Sequence, residues 1–468
     1  MGTISDKLMR IINTKEDIRQ ALISKGYDVP TSIPFKEYAK MISDLPCRVD
    51  SFPDIEGIVA RYSALGLTNE QMAANPVWVD KTGNGHDLQM KNFAWKEGSG
   101  ISDIYPGALV FDGVDDYGAC DNFPILTKEK GYTVVALRQW ISMGEGISGL
   151  VSNVKNWFND GAFVLEYNSN NATNKFVNRP VSFGNVNIEM DLPNNFTYQT
   201  SKSYKGVPIT TGSFKGTNSL FVGKLNNIIG NCSNVAIWEL VFLDHDATEE
   251  ELTKIKDYFV KTYPWLFPDQ AWTVTGKTNE DEDRATIANI TGNSNELVLS
   301  NFGFIEGSGY NEEGEYAGYL VTDGVDDEVR SGAFTLNEDW TIVGNWEFIT
   351  NENKNAGLTK VYSFYLYNRD YGIFVYEYLN AGQGFSVEDV KSLKAICSDG
   401  RIYLNDWQEI RNNIEQEATI SKGVMAIGYF NRDFTKMAFK NLGIYNNQLL
   451  SKDDCIKAYN YLQTLKAK

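Results

Sequence analysis

The sequence contains little of what an enzyme site or a disulfide framework requires. Its 468 residues include two histidines, His86 and His245, and five widely spaced cysteines without a Cys-x-x-Cys pair. An odd number of isolated cysteines indicates free thiols made in a reducing compartment, and it favours neither a disulfide scaffold nor a zinc site. Gly-x-Ser-x-Gly, P-loop and dinucleotide-binding motifs are also missing. No cofactor is therefore expected.

Charge and hydropathy exclude further classes of partner. The chain carries 43 basic and 61 acidic residues, for a net charge of −18. Such a surface repels phosphate backbones and anionic lipid headgroups, so neither nucleic acid nor a membrane is an expected partner. No run approaches the roughly 20 apolar residues of a membrane span, and the start MGTISDKLMRI lacks the pattern of a signal peptide.

Carboxylates are plentiful, but they are not arranged as in a glycosidase. Glycoside hydrolysis needs two carboxylates placed across a cleft, and sandwich hydrolases usually present them on one strand as Glu-x-Asp-x-Glu or Glu-x-Asp-x-x-Glu. Neither pattern occurs, and the acidic run 280–283 is typical of a solvated loop. The sequence therefore predicts a protein that is not an enzyme.

Residues 1–48 differ in pattern from the rest and predict two short helices. Apolar side chains recur at helical spacing in both, and Pro34 and Pro46 bracket the second. So short a segment cannot bury much area alone, so it is expected to pack on a partner or on a copy of itself. We interpret it as an anchor whose contact residues include Ile18, Leu22, Phe35 and Tyr38.

An internal repeat occupies the remainder. TGNGHDLQMKNFAW and LVFDGVDDYG in the first half correspond to TGNSNELVLSNFGF and LVTDGVDDEV in the second, in the same order. The repeat predicts two copies of one domain, residues 49–268 and 269–468, with a boundary near Pro264 and Pro268. The matched positions include Leu88 with Leu297, Asp112 with Asp323, Thr133 with Thr341, Ala236 with Ala438, and Thr248 with Ser451.

Each copy combines short alternating apolar runs with many aromatic residues and Gly/Asn/Asp turns, and ends in one amphipathic helix. The period is that of strands with one buried face, and Thr248 or Ser451 can cap the helix. The expected fold is mainly β, with each copy an antiparallel sandwich closed by a helix.

These motifs resemble a known family. The combination of TGNGHDLQMKN, LVFDGVDDY and a closing AIW strand followed by a helix resembles laminin-G-like, concanavalin A-like jelly rolls. The N-terminal TKEDIRQALISKG is similar to segments of tailed-phage tail and fibre proteins. Together they look like an external appendage of a tailed bacteriophage of the crAss-like type, which infects gut Bacteroidales. The resemblance implies two tandem jelly rolls and a virion location, with carbohydrate binding as an expected role.

The repeated Asp-Gly-Val-Asp-Asp stretch has two interpretations. Its three carboxylates could contribute to a calcium site, since calcium takes six to eight oxygen ligands. The favoured alternative is a tight turn in which Asp side chains accept hydrogen bonds from backbone amides.

For glycan binding, the first copy is the favoured one. It has Trp95, Tyr117 and Trp238 where the second has Phe304, Glu328 and Lys440. Aromatic rings that carry an N–H or O–H group can stack on a sugar and also form hydrogen bonds with it. The competing interpretation assigns these rings to the core. The loops 167–171 and 367–371 also have the composition of sugar-binding loops.

The resulting prediction is a virion protein, a head or tail fibre or a decoration protein on the outer surface of the particle, synthesised in the host cytoplasm. Its expected partners are capsid or tail proteins through the N-terminus, further copies in a homodimer or homotrimer, and host-surface polysaccharide. A glycan-cleaving depolymerase and a bacterial surface lectin remain as alternatives.

Overall fold

A computed structural model describes most of residues 52–467. It leaves out 128–129, 143–146, 156–163, 169–175, 179–185, 189–195, 202–215, 226–231, 350–363, 368–372, 375–391, 412–420, 428, 431–432 and 435. Residues Met1–Pro53 and Asp54–Lys468 form separate compact units. In the first unit the structure describes Lys15 and Arg19, both helical, together with residues 52–53. The predicted anchor residues Ile18, Leu22, Phe35 and Tyr38 lie outside the described residues.

The first copy folds into two antiparallel sheets. One has the order β12-β7-β14-β5-β4, with β1 added on β14, and the other runs β11-β10-β9-β8-β13-β6-β3-β2. The strands are β1 (Ile58–Ser63), β2 (Val77–Trp78), β3 (Leu88–Lys91), β4 (Gly100–Ile101), β5 (Leu109–Asp112), β6 (Tyr117–Cys120), β7 (Thr133–Ser142), β8 (Ile147–Ser152), β9 (Val164–Asn168), β10 (Phe176–Asn178), β11 (Val186–Ile188), β12 (Phe196–Thr200), β13 (Leu220–Val222) and β14 (Asn234–Leu243).

The second copy repeats this plan. Its sheets run β18-β19-β31-β22-β25-β26-β27, with β15 on β31, and β16-β17-β20-β28-β23-β24, with β21 on β28; β29 and β30 pair alone. The strands are β15 (Gln270–Thr273), β16 (Thr286–Ile287), β17 (Leu297–Ser300), β18 (Gly309–Asn311), β19 (Tyr319–Val321), β20 (Glu328–Ser331), β21 (Phe334–Leu336), β22 (Trp340–Phe348), β23 (Phe364–Tyr367), β24 (Ile373–Phe374), β25 (Ser392–Cys397), β26 (Arg401–Leu404), β27 (Gln408–Arg411), β28 (Ser421–Ile427), β29 (Tyr429–Phe430), β30 (Asp433–Phe434) and β31 (Met437–Asn446).

Among the described strands, none of the first copy pairs with one of the second. The predicted mainly β fold of antiparallel sandwiches with few helices is confirmed. In the part of the chain that is described, no helix is long and apolar enough to span a bilayer.

Burial explains why these runs form strands. In β3 and in its counterpart β17, buried and exposed side chains alternate, as expected for a strand with one face on the core. Strands β7 and β14 differ because nearly all their residues are buried on both faces. Their inner faces meet the opposite sheet, and a helix packs nearby on the outside.

The unit Asp54–Lys468 contains, among its described residues, the α-helices α1 (Asn69–Ala74), α2 (Glu249–Thr262) and α3 (Lys452–Gln463). Helix α2 begins as predicted, because the Thr248 hydroxyl accepts a hydrogen bond from the amide of Glu251, whose side chain bonds back to Thr248. Ser451 caps α3 through its hydroxyl, which accepts a hydrogen bond from the amide of Asp454. A 3-10 helix, Pro264–Leu266, follows α2 where the two prolines interrupt the chain.

A buried ion pair lies at the outer face of the first copy. The Arg61 Nε donates to Glu239 at 3.0 Å, and the Tyr258 and Tyr263 hydroxyls also bond to Glu239. Because Tyr258 belongs to α2, the pair ties the helix to β1 and β14. The position of Glu239 is taken by Asn441 in the second copy, which bonds to Gln463 and to the Leu462 carbonyl of α3. The closing helix is thus connected to the sheet by a charged pair in the first copy and by side-chain amides in the second.

Candidate functional site

The Asp-Gly-Val-Asp-Asp stretch forms the predicted turn between β5 and β6. Asp112 Oδ1 accepts hydrogen bonds from the amides of Val114, Asp115 and Asp116, at 2.7, 3.2 and 3.4 Å. Asp116 Oδ2 accepts in turn from the Asp112 amide at 3.0 Å. The carboxylates therefore serve the backbone of the turn.

The second copy reproduces this geometry. Asp323 Oδ1 accepts from Val325 and Asp326, and Asp327 Oδ2 accepts from the Asp323 amide at 2.7 Å. Burial raises the pKa of both final aspartates, Asp116 and Asp327, to about 6. In each copy three carboxylates place one oxygen each within 4.8 Å of the others. Calcium binding at this turn stays the untested alternative to the favoured structural turn.

Trp95, a predicted glycan-binding residue, lies in the loop that this turn holds. Its backbone has φ +51, and its ring stacks on Phe93 with 4.8 Å between centroids. Phe304, at the matching place, has the same φ of +51 and lies against Phe302 and Tyr310. Since both copies hold a ring in this unusual conformation and pack it against the core, the position has a structural role in the shared fold.

Of the other two predicted glycan-binding rings, Tyr117 is partly covered and Trp238 is buried. Lys224 Nζ lies 4.5 Å above the Tyr117 ring, so one face of that ring is already covered. Trp238 is fully buried, and its indole nitrogen donates to the Pro106 carbonyl at 2.9 Å. The assignment of Trp238 to a sugar-stacking surface is wrong, because the outer face of β14, which the alternating pattern leaves open, is covered by other segments.

A row of half-buried rings instead crosses the outer face of the second copy. We call the four rings Tyr316, Tyr319, Trp407 and Tyr459 the aromatic surface. Tyr319 lies on β19, Tyr459 on α3, and Trp407 in the turn between β26 and β27. The strands β19, β31, β22, β25 and β26 are consecutive in this sheet, so residues distant in sequence meet on one face.

Polar side chains lie between these rings. Lys440 Nζ is 5.5 Å from the centroid of Tyr319, and the amide of Asn345 donates to the Tyr319 hydroxyl at 3.0 Å. Lys394 Nζ donates to the Tyr459 hydroxyl at 3.1 Å and lies 4.6 Å from its ring centroid. The charge of Glu347 acts on Tyr316, Tyr319 and Tyr459 alike, which places this carboxylate among them.

Trp407 is held rigidly at one end of the aromatic surface. Its φ is +64, which is rare for a bulky residue. The turn is fixed by Asn405, whose amide donates to the Ser392 carbonyl at 2.9 Å while its side chain accepts from the Ser392 amide. The indole meets Tyr459 edge to face at 5.7 Å and Tyr403 at 6.0 Å. A ring fixed in this way loses little conformational entropy when it stacks on a ligand.

The titration behaviour of the aromatic surface suits hydrogen bonding more than proton transfer. Burial, with Glu347 next in effect, raises the pKa of Tyr459 to about 12. Burial also raises the pKa values of Tyr316 and Tyr319 and lowers that of Lys394. The tyrosines therefore stay protonated at neutral pH, with hydroxyls that can donate and accept. Flat aromatic rings next to hydroxyl and charged groups are typical of a surface that binds sugars.

A cleft of about 430 Å³ lies where the two copies meet. It differs from the aromatic surface because its lining has carboxylates, a lysine, amides and aliphatic side chains, but no aromatic ring. These residues are Asp257, Val260, Lys261, Pro264, Asn447, Gln448, Leu449, Leu450 and Asp454.

The sequence did not single out the aromatic surface. Trp407 and Tyr459 are far apart along the chain, and only the sheet order and the packing of α3 bring them together. Of the loops predicted from composition, residues 169–171 and 368–371 lie outside the described residues; Asn168 ends β9 and Tyr367 ends β23. A usable signal was Asn405-Asp406-Trp407, a short turn sequence that carries an otherwise unexplained tryptophan.

Comparisons with known proteins give only distant similarities. No protein-family model and no curated protein matches the chain. The Trypanosoma rangeli sialidase in complex with sialic acid is 13% identical with a TM-score of 0.32, over 45% of this chain and 34% of that one. The botulinum neurotoxin serotype D/C binding domain is 9% identical with a TM-score of 0.33, over 84% and 99%. The chain thus spans about a third of the sialidase's length. Similarity at this level does not specify a ligand.

Proposed function

We propose that the chain is a carbohydrate-binding structural protein without enzymatic activity, carried as a fibre or decoration protein on the outer surface of a tailed-phage particle. The observation that carries the binding role is the aromatic surface, in which Lys394, Lys440 and Glu347 lie among the half-buried rings. The opposite charges on this surface favour hydroxyl-rich, largely uncharged sugars as ligands.

The virion role is supported by the sequence resemblance and by the acidic composition, which suits the outside of a particle better than contact with packaged DNA. In this proposal residues 1–48 dock onto capsid or tail proteins. Two or three chains assemble, because several weak sites presented together gain avidity. The sandwiches then present their surfaces to polysaccharides of the host cell.

The binding role is tested with the full chain and purified capsular polysaccharides of gut Bacteroidales immobilised on a biosensor. Trp407→Ala should weaken binding about tenfold, the expected loss for one stacking ring. Trp407→Phe should retain part of it. The matched control is Trp95→Phe, a half-buried ring at positive φ in the other copy, which should leave affinity unchanged. Equal affinity of wild type and Trp407→Ala would reject the assignment.

The virion role is tested separately by labelling phage particles with an antibody to this chain in electron micrographs. Label on the outer surface of intact particles supports the proposal. Label only in unassembled lysate protein would reject the virion role and leave the carbohydrate result standing.

A further inference from the structure

The second copy brings together two of the widely separated cysteines. Cys397 is the last residue of β25, and Cys455 lies in the first turn of α3. Both side chains are free thiols and fully buried, and they lie close enough for each to shift the pKa of the other. A strand end and a helix start thus meet through two sulfur atoms, across a long intervening segment.

Hydrogen bonds fix the backbone on both sides of this thiol pair. Thr341 pairs with Cys397 across β22 and β25, and its Oγ1 lies 4.0 Å from the Cys397 sulfur. The same oxygen accepts from the Leu450 amide at 2.9 Å, just before α3 begins. Arg401 donates to the Leu450 carbonyl at 3.0 Å. The entry to α3 is therefore anchored at the strand end that carries Cys397.

The first copy has no such pair. There Thr200 pairs with Thr133 as Cys397 pairs with Thr341, and Leu252 stands where the second copy has Cys455. Two positions that are neighbours only in the fold have both become cysteine in one copy. Isolated buried cysteines act as small hydrophobic residues, but two in contact can form a covalent bond.

We infer that Cys397 and Cys455 form a disulfide when the protein leaves a reducing compartment and meets a low-molecular-weight disulfide of the glutathione type. The Cys397 thiolate attacks one sulfur of the oxidant, which releases one thiolate and leaves a mixed disulfide. The Cys455 thiol then gives up its proton and displaces the second thiolate. The protein loses two electrons and two protons, and the oxidant is reduced to two thiols.

The surroundings favour Cys397 as the attacking group. The interaction with Cys455 is the largest effect on the pKa of Cys397 and lowers it; burial acts in the opposite direction, and the positive charge of Arg401 lowers the pKa further. Because both thiols are buried, the oxidant reaches them only when α3 loosens locally, so closure is slow in the native protein. The bond then holds α3, which carries Tyr459 one turn beyond Cys455, against the sheet. This inference does not depend on the proposed carbohydrate binding.

The test incubates the full chain with oxidised glutathione at mildly alkaline pH, with and without a low concentration of urea, and then maps peptides by mass spectrometry without reduction. We expect one linked peptide pair, containing Cys397 and Cys455, to form faster in urea. The melting temperature should rise by about 5–10 °C and return on reduction.

Three variants separate this bond from nonspecific oxidation. Cys397→Thr, which introduces the first copy's residue, and Cys455→Ser should each abolish the linked pair and the rise in melting temperature. Cys232→Ser, which removes another thiol of the folded chain, should retain both. Absence of the 397–455 peptide after complete oxidation in urea, or an equal yield of pairs that include Cys120 or Cys232, would overturn the inference.

Discussion

Ser308 donates a 3.0 Å hydrogen bond to the buried carboxylate of Asp327, and this bond joins the loop that carries Phe304 to the β19–β20 turn. The Ser308 hydroxyl also accepts from the Gly303 amide at 2.8 Å, as Ser99 does from Ala94 in the first copy. In the second copy one serine and one aspartate therefore position an aromatic ring. The cost of burying the aspartate should depend on pH.

The first prediction concerns this pH dependence. Burial raises the folded-state pKa of Asp116 and of Asp327 from 3.8 to about 6, so their favourable contribution is present below about pH 4 and lost as the pH rises through 6. The difference in free energy of unfolding between each variant, Asp116→Asn or Asp327→Asn, and wild type should therefore shift by about 2–3 kcal/mol in favour of the variant from pH 4 to pH 7. Urea unfolding at both pH values measures this, with the exposed Asp115→Asn as control. Parallel curves for wild type and variants would contradict the assignment.

The second prediction concerns Trp238. Because the ring is fully buried and its nitrogen is hydrogen-bonded to Pro106, Trp238→Ala should cost about 3–5 kcal/mol of unfolding free energy. The more conservative Trp238→Phe should fold and keep wild-type affinity for polysaccharide. A Phe variant that stays stable but loses binding would return this residue to a ligand site.

The third prediction compares the buried Arg61–Glu239 ion pair beneath α2 with the hydrogen bonds of Asn441 beneath α3. Glu239→Ala leaves Arg61 buried without its carboxylate and should cost about 3–5 kcal/mol. Asn441→Ala removes only amide hydrogen bonds at the matching position and should cost about 1–3 kcal/mol. Chemical denaturation of each variant gives both values. If Asn441→Ala lost more unfolding free energy than Glu239→Ala, the loss of the buried carboxylate would not be the more destabilising change.

The fourth prediction concerns residues 1–48. A chain that begins at residue 49 should keep both sandwiches folded, because Asp54–Lys468 form a compact unit of their own. In the proposed role it should no longer be incorporated into phage particles. Circular dichroism and quantitative western blots of purified particles check the two parts. Normal copy number of the shortened chain on particles would remove the anchor from the proposal.

The repeat explains why so much of the fold was predictable. Alternation in Leu88–Lys91 and Leu297–Ser300, the helix caps Thr248 and Ser451 and the aspartate turns are local signals, and each occurs twice. A pattern that occurs in both copies is not a chance match, so it identifies the elements of the shared fold.

The candidate site was not predictable in the same way. Trp238 lies in the middle of the apolar strand β14, and its burial depends on the segment around Pro106, which covers the outer face of that strand. Trp407 and Tyr459 meet because α3 packs across the sheet at the end that carries the β26–β27 turn. Contacts that depend on tertiary packing leave no periodic trace in the sequence.

The first and last strands of each copy are neighbours: β1 pairs with β14, and β15 pairs with β31. The chain therefore enters and leaves a sandwich on adjacent strands, and a further copy can be inserted at the 244–269 connection without cutting any strand pair. Duplication of a gene segment is tolerated most easily by such an architecture. Longer or shorter relatives of this protein should accordingly differ by whole sandwiches, each with its own Asp-Gly-Val-Asp-Asp turn and closing helix.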